Sequence, residues 1–349
     1  MKSSYKQEDV IFLLKDITGL IQAQPAEERE KLIQSGKHYC EMLPLEYVPT
    51  PEYMEVYKKA LADYSGVTAR AVGRLADRII EKKGKDAVLV SLARAGTPIG
   101  ILLKRYLSFK YGIDVDHYSI SIIRGRGIDD NAMKFLLGKY DSGQLLFVDG
   151  WIGKGAIYQE LKKDVSAYEG VSADIAVVAD PANMTELCGT HEDILIPSSC
   201  LNSTVSGLIS RTVLRSDLIG KEDFHGAVYY KEFEGVDLSY EFIHSIERHF
   251  VTDNGRDEIR TEGTGLQEIY ELAKAFDIED INLIKPGIGE TTRVLLRRVP
   301  WRVLIDERYK NDRDLSHIIR LSEEKGVPII YYPLVHYKCC GLIRKMADT

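Results

Sequence analysis

Twice in the first half of the chain a short apolar run stops at a turn of small residues and opens into a helical pattern. Ala87–Ala93 runs into Arg94-Ala95-Gly96 and a helix over Ile99–Lys110, and Leu145–Val148 runs into Asp149–Gly155 and a helix to Lys163. Further β-rich runs follow at His117–Ile123 and Ile175–Val178. Strands alternating with helices imply an α/β fold with a mostly parallel sheet. Such sheets bind ligands beyond the carboxyl ends of their strands, where both turns fall. Upstream, Tyr53–Tyr64 and Thr68–Lys82 carry apolar residues at three- and four-residue spacing, predicting two amphipathic helices.

A chain of 349 residues, 44% hydrophobic, has room for two domains. The polar, glycine-containing stretch Phe250–Gly265 is the best linker, which divides the chain into 1–257 and 258–349. From residue 256 onward 16 basic residues balance 16 acidic ones, so the first part carries the whole net charge of −7. The second part alternates again. Helices are expected at Leu266–Phe276, Gly289–Arg298, Leu315–Lys325 and Val335–Met346, with strands at Ile281–Ile284, Trp301–Ile305 and Pro328–Tyr331. That pattern fits a smaller three-layer α/β/α sandwich.

Apolar runs such as Ala87–Val90 fall far short of the roughly 18–20 residues that span a bilayer, so no membrane association is expected. The N-terminus lacks the long apolar run of a secretory signal, and a cytoplasmic location follows. Five cysteines, an odd count without any Cys-x-x-Cys, argue for reduced thiols and against a disulfide framework or a structural zinc site.

Gly153 and Gly155 open a helix just after Asp149 ends a strand. Glycines let backbone N–H groups close around phosphate oxygens at a helix N-terminus, and the carboxylate suits vicinal ribose hydroxyls. The loop at Arg94 supplies a second cradle, so a doubly phosphorylated ligand is expected. Between them, Arg124-Gly125-Arg126-Gly127 reads as a mobile basic loop.

In this order of loops the sequence resembles the type I phosphoribosyltransferases. The resemblance implies a phosphoribosyl diphosphate site with Arg94, Ala95 and Gly96 at the pyrophosphate, Asp149 and Gly150 at the ribose, and Gly153, Lys154, Gly155, Ala156 and Ile157 around the 5-phosphate. It implies Mg²⁺ carried by the diphosphate and a base-like acceptor, with Arg124, Arg126 and Asp149 as catalytic residues. The family's second acidic residue is Gly150 here, its acid–base Asp falls at Gly153, and its hydroxyl-bearing positions are Lys154 and Ile157.

The segments HYSISIIRGRGID (117–129), LLFVDGWIGKGAI (145–157) and ILIPSSCLNSTVSGLISRTVL (194–214) carry a closer resemblance. It is to the phosphoribosyltransferase–Pelota fusion family found with tellurium-resistance stress genes, whose members are also labelled cysteine protease StiP. The implied activity is a phosphoribosyltransferase making a ribonucleoside-like metabolite. Two alternatives stand beside it: a metabolite-sensing RNA-binding regulator without turnover, and a cysteine peptidase. For the peptidase, Cys200 in its Ser/Asn/Thr-rich loop is the expected nucleophile, with His191 or His225 brought up by folding.

Lys285 to Arg302 holds five basic residues and one acid, Glu290. This segment resembles the L7Ae/Pelota RNA-binding family, which implies contacts to RNA through Lys285, Gly289, Glu290, Arg293 and Arg297; the family's Asn is Gly289 here. RNA is therefore an expected partner, and an oligomer is compatible with the chain.

Overall fold

The computed structural model describes residues 1–256 and 262–343. The boundary expected near residue 258 lies outside them. Elements used below are labelled in chain order.

The first domain is built on a sheet of six parallel strands. These are β1 (Ile11–Phe12), β2 (Val88–Leu92), β3 (His117–Ile120), β4 (Leu145–Trp151), β5 (Ile175–Ala179) and β6 (Cys188–Thr190), arranged β1-β3-β2-β4-β5-β6. The central strands are buried along their whole apolar length because both faces are covered. Leu89, Leu146, Val148, Ala176 and Val178 pack to one side with the long helix α1 (Pro51–Lys83) and with α2 (Gly96–Tyr111). Val88, Val90, Phe147, Ile175 and Val177 pack to the other with Met133, Leu136 and Leu161, the last on α3 (Ala156–Val165).

The two helices expected over 53–82 are the single 33-residue α1. Pro51 opens it with φ already set, and Gly84 at φ 73° closes it. It continues through Ser65 and Gly66 because the buried stripe continues through Tyr64, Ser65 and Thr68.

The second domain holds α5 (Gly265–Ala275), β7 (Ile284–Pro286), α6 (Ile288–Arg297), β8 (Pro300–Ile305), α7 (Ser316–Glu324), β9 (Ile329–Tyr331) and β10 (Cys339–Ile343); α4 (Ser239–Glu247) belongs to the first. Its sheet runs β7-β10-β8-β9. Helix α5 covers one face, through Ile269 and Leu272 against Ile284, Leu304 and Leu342, and α6 and α7 cover the other. The helix expected over Val335–Met346 is instead the strand β10, inserted antiparallel between β7 and β8, where its backbone groups find partners on both sides. Residues 344–346 of that expectation lie outside the described ones.

The two domains share one apolar core. Ile288, Leu295, Leu315 and Ile318 belong to the same cluster as Tyr57, Leu61, Leu195 and Ile196. Tyr64 donates to Asp314 at 2.8 Å, and Arg313 and Arg320 pair with Asp63 and Glu55 of α1. Among the described residues no helix is long and apolar enough to cross a membrane.

Candidate active site

The parallel pairing of β5 with β6 sets Val177 opposite Cys188 and Ala179 opposite Thr190, so the next residues of each strand, Asp180 and His191, leave the sheet side by side. The Asp180 amide donates to the Thr190 carbonyl at 2.9 Å, which fixes the two strand ends. His191 Nδ1 lies 2.9 Å from the Asp180 carbonyl oxygen. A carbonyl can only accept, so Nδ1 carries a proton, and in the neutral imidazole Nε2 then presents its lone pair. That lone pair faces Cys188 Sγ at 3.3 Å.

Two further groups complete the cluster. The Asp180 carboxylate stands 4.0 Å from His191 Nδ1 and accepts from the Met184 and Thr185 amides at 2.6 and 2.7 Å. Burial pushes its pKa up, against the pull of those two amides and of His191 and His336. From α1, Arg78 Nη1 donates to the Cys188 carbonyl at 2.5 Å and reaches the sulfur at 3.4 Å. A neutral imidazole can take the thiol proton, the guanidinium favours the thiolate, and the carboxylate favours the imidazolium that results.

The second domain docks beside Asp180. The Gly265 amide donates to the Ala182 carbonyl at 2.9 Å and Asn183 Nδ2 to the Gly263 carbonyl at 3.0 Å. Tyr337 donates to the Gly153 carbonyl at 2.7 Å. Asp193, two residues past His191, accepts from the Ile288 amide at the start of α6 and from the Lys338 amide, both at 2.9 Å. Cys188 and Asp180 are fully buried in this docked arrangement, and His191 keeps 8% of its surface.

Cys200, the nucleophile expected from the sequence, is not part of this candidate cluster. Cys200 ends the 3₁₀ turn Pro197–Cys200 inside the shared apolar core, near the Tyr57 hydroxyl. Of the two histidines expected beside it, His191 faces Cys188, and His225 Nδ1 meets Ser121 Oγ at 2.9 Å. A second thiol–imidazole contact, His38 Nδ1 to Cys40 Sγ at 2.9 Å, belongs to a thiol that burial pushes up. Sequence reasoning missed Cys188, Asp180 and Arg78. The readable signal was Cys188-Gly-Thr-His191 one strand after Asp180, with both polar ends sitting at strand termini.

Several of the residues expected to bind phosphoribosyl diphosphate have partners within the protein. Arg94 pairs with buried Glu46 at 2.7 Å and donates to the Ile209 carbonyl at 3.0 Å, and Glu46 also accepts from Ser203. A Cβ on Gly96 would meet the Val148 carbonyl at 2.3 Å and one on Gly155 would meet Met184 Sδ at 2.3 Å, so these glycines admit protein atoms. The Ala95 carbonyl lies 3.6 Å from where a Gly150 Cβ would be, and a Gly153 Cβ would lie 3.9 Å from Glu290 Cγ. Lys154 donates to the Ile281 carbonyl at 2.5 Å, Arg124 to Asn282 at 2.7 Å and Arg126 to Glu41 at 3.4 Å. Ala156 starts α3, and Ile157 packs against the core of the outer sheet face. Asp149 accepts from its own neighbour, the Gly150 amide, at 2.7 Å; burial pushes its pKa up to about 7. Between Trp151, Gly153, Asp193, Ser199 and Glu290 remains a cavity of about 20 Å³, the room of a single water.

Of the residues expected to contact RNA, Lys285 lies in β7 and Gly289, Glu290 and Arg293 on α6. Gly289 faces Ser199 of the first domain, where a Cβ would come within 3.1 Å of its hydroxyl. Arg293 pairs with Glu290 at 3.2 Å and stacks its guanidinium over Trp151 at 5.5 Å. The side chain of Arg297 lies outside the described residues.

The model of the family described as tellurite-like stress resistance cysteine protease StiP matches residues 3–247, and that of the Pelota RNA-binding domain matches residues 263–345. A protein of Acinetobacter baylyi (strain ATCC 33305 / BD413 / ADP1) named cysteine protease StiP is 34% identical over 98% of this chain and 94% of its own. These matches overturn the transferase reading of the sequence. The name they carry is that of a cysteine protease, a hydrolase.

Proposed function

Because the chain belongs to the StiP family, we propose that it is a cysteine peptidase whose nucleophile is Cys188. The contact between Cys188 Sγ and Nε2 of His191, whose Nδ1 donates to the Asp180 carbonyl, carries this reading. His191 takes the thiol proton, and the thiolate, favoured by Arg78, attacks a peptide carbonyl carbon. His191 then returns the proton to the leaving amine nitrogen as the C–N bond breaks. Water hydrolyses the remaining thioester, giving one proton through His191 back to sulfur. Asp180 positions the imidazole and offsets its positive charge. The family's description supports a role for this activity in stress resistance.

In architecture, the parallel order β3-β2-β4-β5 supports reading the first domain as phosphoribosyltransferase-like in fold alone. For the second domain we propose RNA binding, supported by the matched Pelota domain and the cations around β7 and α6.

Cleavage of a quenched casein substrate tests the peptidase. Cys188→Ser is expected to lower turnover by roughly a thousandfold or more, and Cys200→Ser to leave it within a few-fold of wild type. Full activity in Cys188→Ser would remove this thiol from the mechanism.

A further inference from the structure

The cations along the seam between the domains fall into two kinds. Arg94, Arg126 and Arg293 each face a carboxylate, from Glu46, Glu41 and Glu290. Arg124 and Lys154 instead donate across the seam to neutral oxygens, of Asn282 and Ile281, and Arg211 rests on the face of the Tyr39 ring at 4.6 Å. A neutral acceptor satisfies an N–H group and leaves the charge in place. From the second domain, Lys285 and exposed Arg298 adjoin the same row.

The field of this row is visible in the cations themselves. Burial, then Lys285 and Arg124, hold Lys154 down to about 8; Asp280 and Glu290 are the acids that oppose them. Burial, then Arg29 and Arg94, hold Arg211 down to about 10, with Arg298 adding to the effect. Burial holds Lys285 down against Glu290, and Arg298, Arg124 and Arg293 add to it. Glu290 and Asp280 offset part of this row's charge, and a row of like charges with an excess of cations suits a polyanion. Aromatic faces interleave with them, Tyr39 under Arg211 and Trp151 under Arg293. Alternating cations and aromatic rings suit a single strand, whose phosphates meet the charges while bases stack.

We propose that single-stranded RNA binds along the domain seam, with Arg124, Lys154 and Arg211 of the first domain contacting its phosphates together with Lys285 and Arg298 of the second. This rests on the reading of the second domain as an RNA binder and extends the site beyond that domain.

The test is fluorescence anisotropy of the full chain with a fluorescein-labelled 12-nucleotide oligouridylate across a salt series. Arg124→Gln and Arg211→Gln are each expected to weaken binding and to reduce the slope of log K against log salt by about 0.7, as Lys285→Gln does. Arg211→Lys is expected to restore the slope, and melting curves identify any variant that fails to fold. Loss confined to Lys285→Gln and Arg298→Gln would overturn the shared site while leaving the second domain an RNA binder. No binding by wild type at 50 mM salt would overturn both readings, and the casein assay would be untouched.

Discussion

At the scale of single residues, a carboxylate in the seam sets a pH dependence. Asp149 has its pKa raised to about 7 by burial, so between about 4 and 7 the folded chain binds a proton that the unfolded chain has released. Stability therefore falls as pH rises through that window, and the loss is complete above it. Asp149→Asn keeps an acceptor for the Gly150 amide without the charge. Its melting temperature should exceed that of wild type at pH 8 and match it at pH 4; equal gaps at both pH values would show that the charge is not the cause. Asp193, pushed up to about 6 by burial, follows the same sign. The residue scale is also where the sequence was least legible. Gly96 and Gly155 have the spacing of a phosphate cradle, but the carbonyl and thioether that approach them come from positions 148 and 184, and no local pattern announces such neighbours. Arg94 is neutralised by Glu46, 48 positions away.

Among the elements, α1 carries two glycines with opposite consequences. A Cβ at Gly66 would meet nothing closer than 3.8 Å, whereas one at Gly73 would fall 2.4 Å from Asn254, whose amide donates to Tyr106. Gly66→Ala should stabilise the chain by about 1 kcal/mol through helix propensity. Gly73→Ala should destabilise it despite the same propensity gain, because Asn254 must give way. Urea unfolding of both variants checks the contrast. The four central parallel strands, β2 to β5, were legible because burial on both faces writes them as short apolar runs, whereas the short edge strands β1 and β6 were not. Strand β10 was not, since Cys339–Ile343 is apolar enough for either element and only its place between β7 and β8 decides. Cys188 was passed over for a related reason: its partners are set by the register of β5 on β6, and Arg78 arrives from a helix 110 positions away.

For the whole molecule, the second domain docks on Ala182, Asn183 and Gly153. On the proposed peptidase reading, a peptide reaches buried Cys188 only after an opening, and these contacts are the ones expected to part. Asn183→Ala combined with Tyr337→Phe removes two of these hydrogen bonds, each worth about 1 kcal/mol. The double variant should raise the rate of iodoacetamide labelling at Cys188, read by peptide mass spectrometry, by roughly ten- to thirtyfold, while buried Cys339 keeps its wild-type rate. An unchanged rate at Cys188 would show that its reactivity does not depend on domain opening.

The second domain follows the first in the chain. Ribosomes add about 5–20 residues per second and domains fold as they emerge, so the first domain waits on the order of ten seconds before residues 262–343 can settle on it. During that interval the face formed by Leu195, Ile196 and Tyr57 lacks the partners Ile288, Leu295 and Ile318. Each newly made copy thus passes through a brief uncovered youth, in which it is stickier than it will be again.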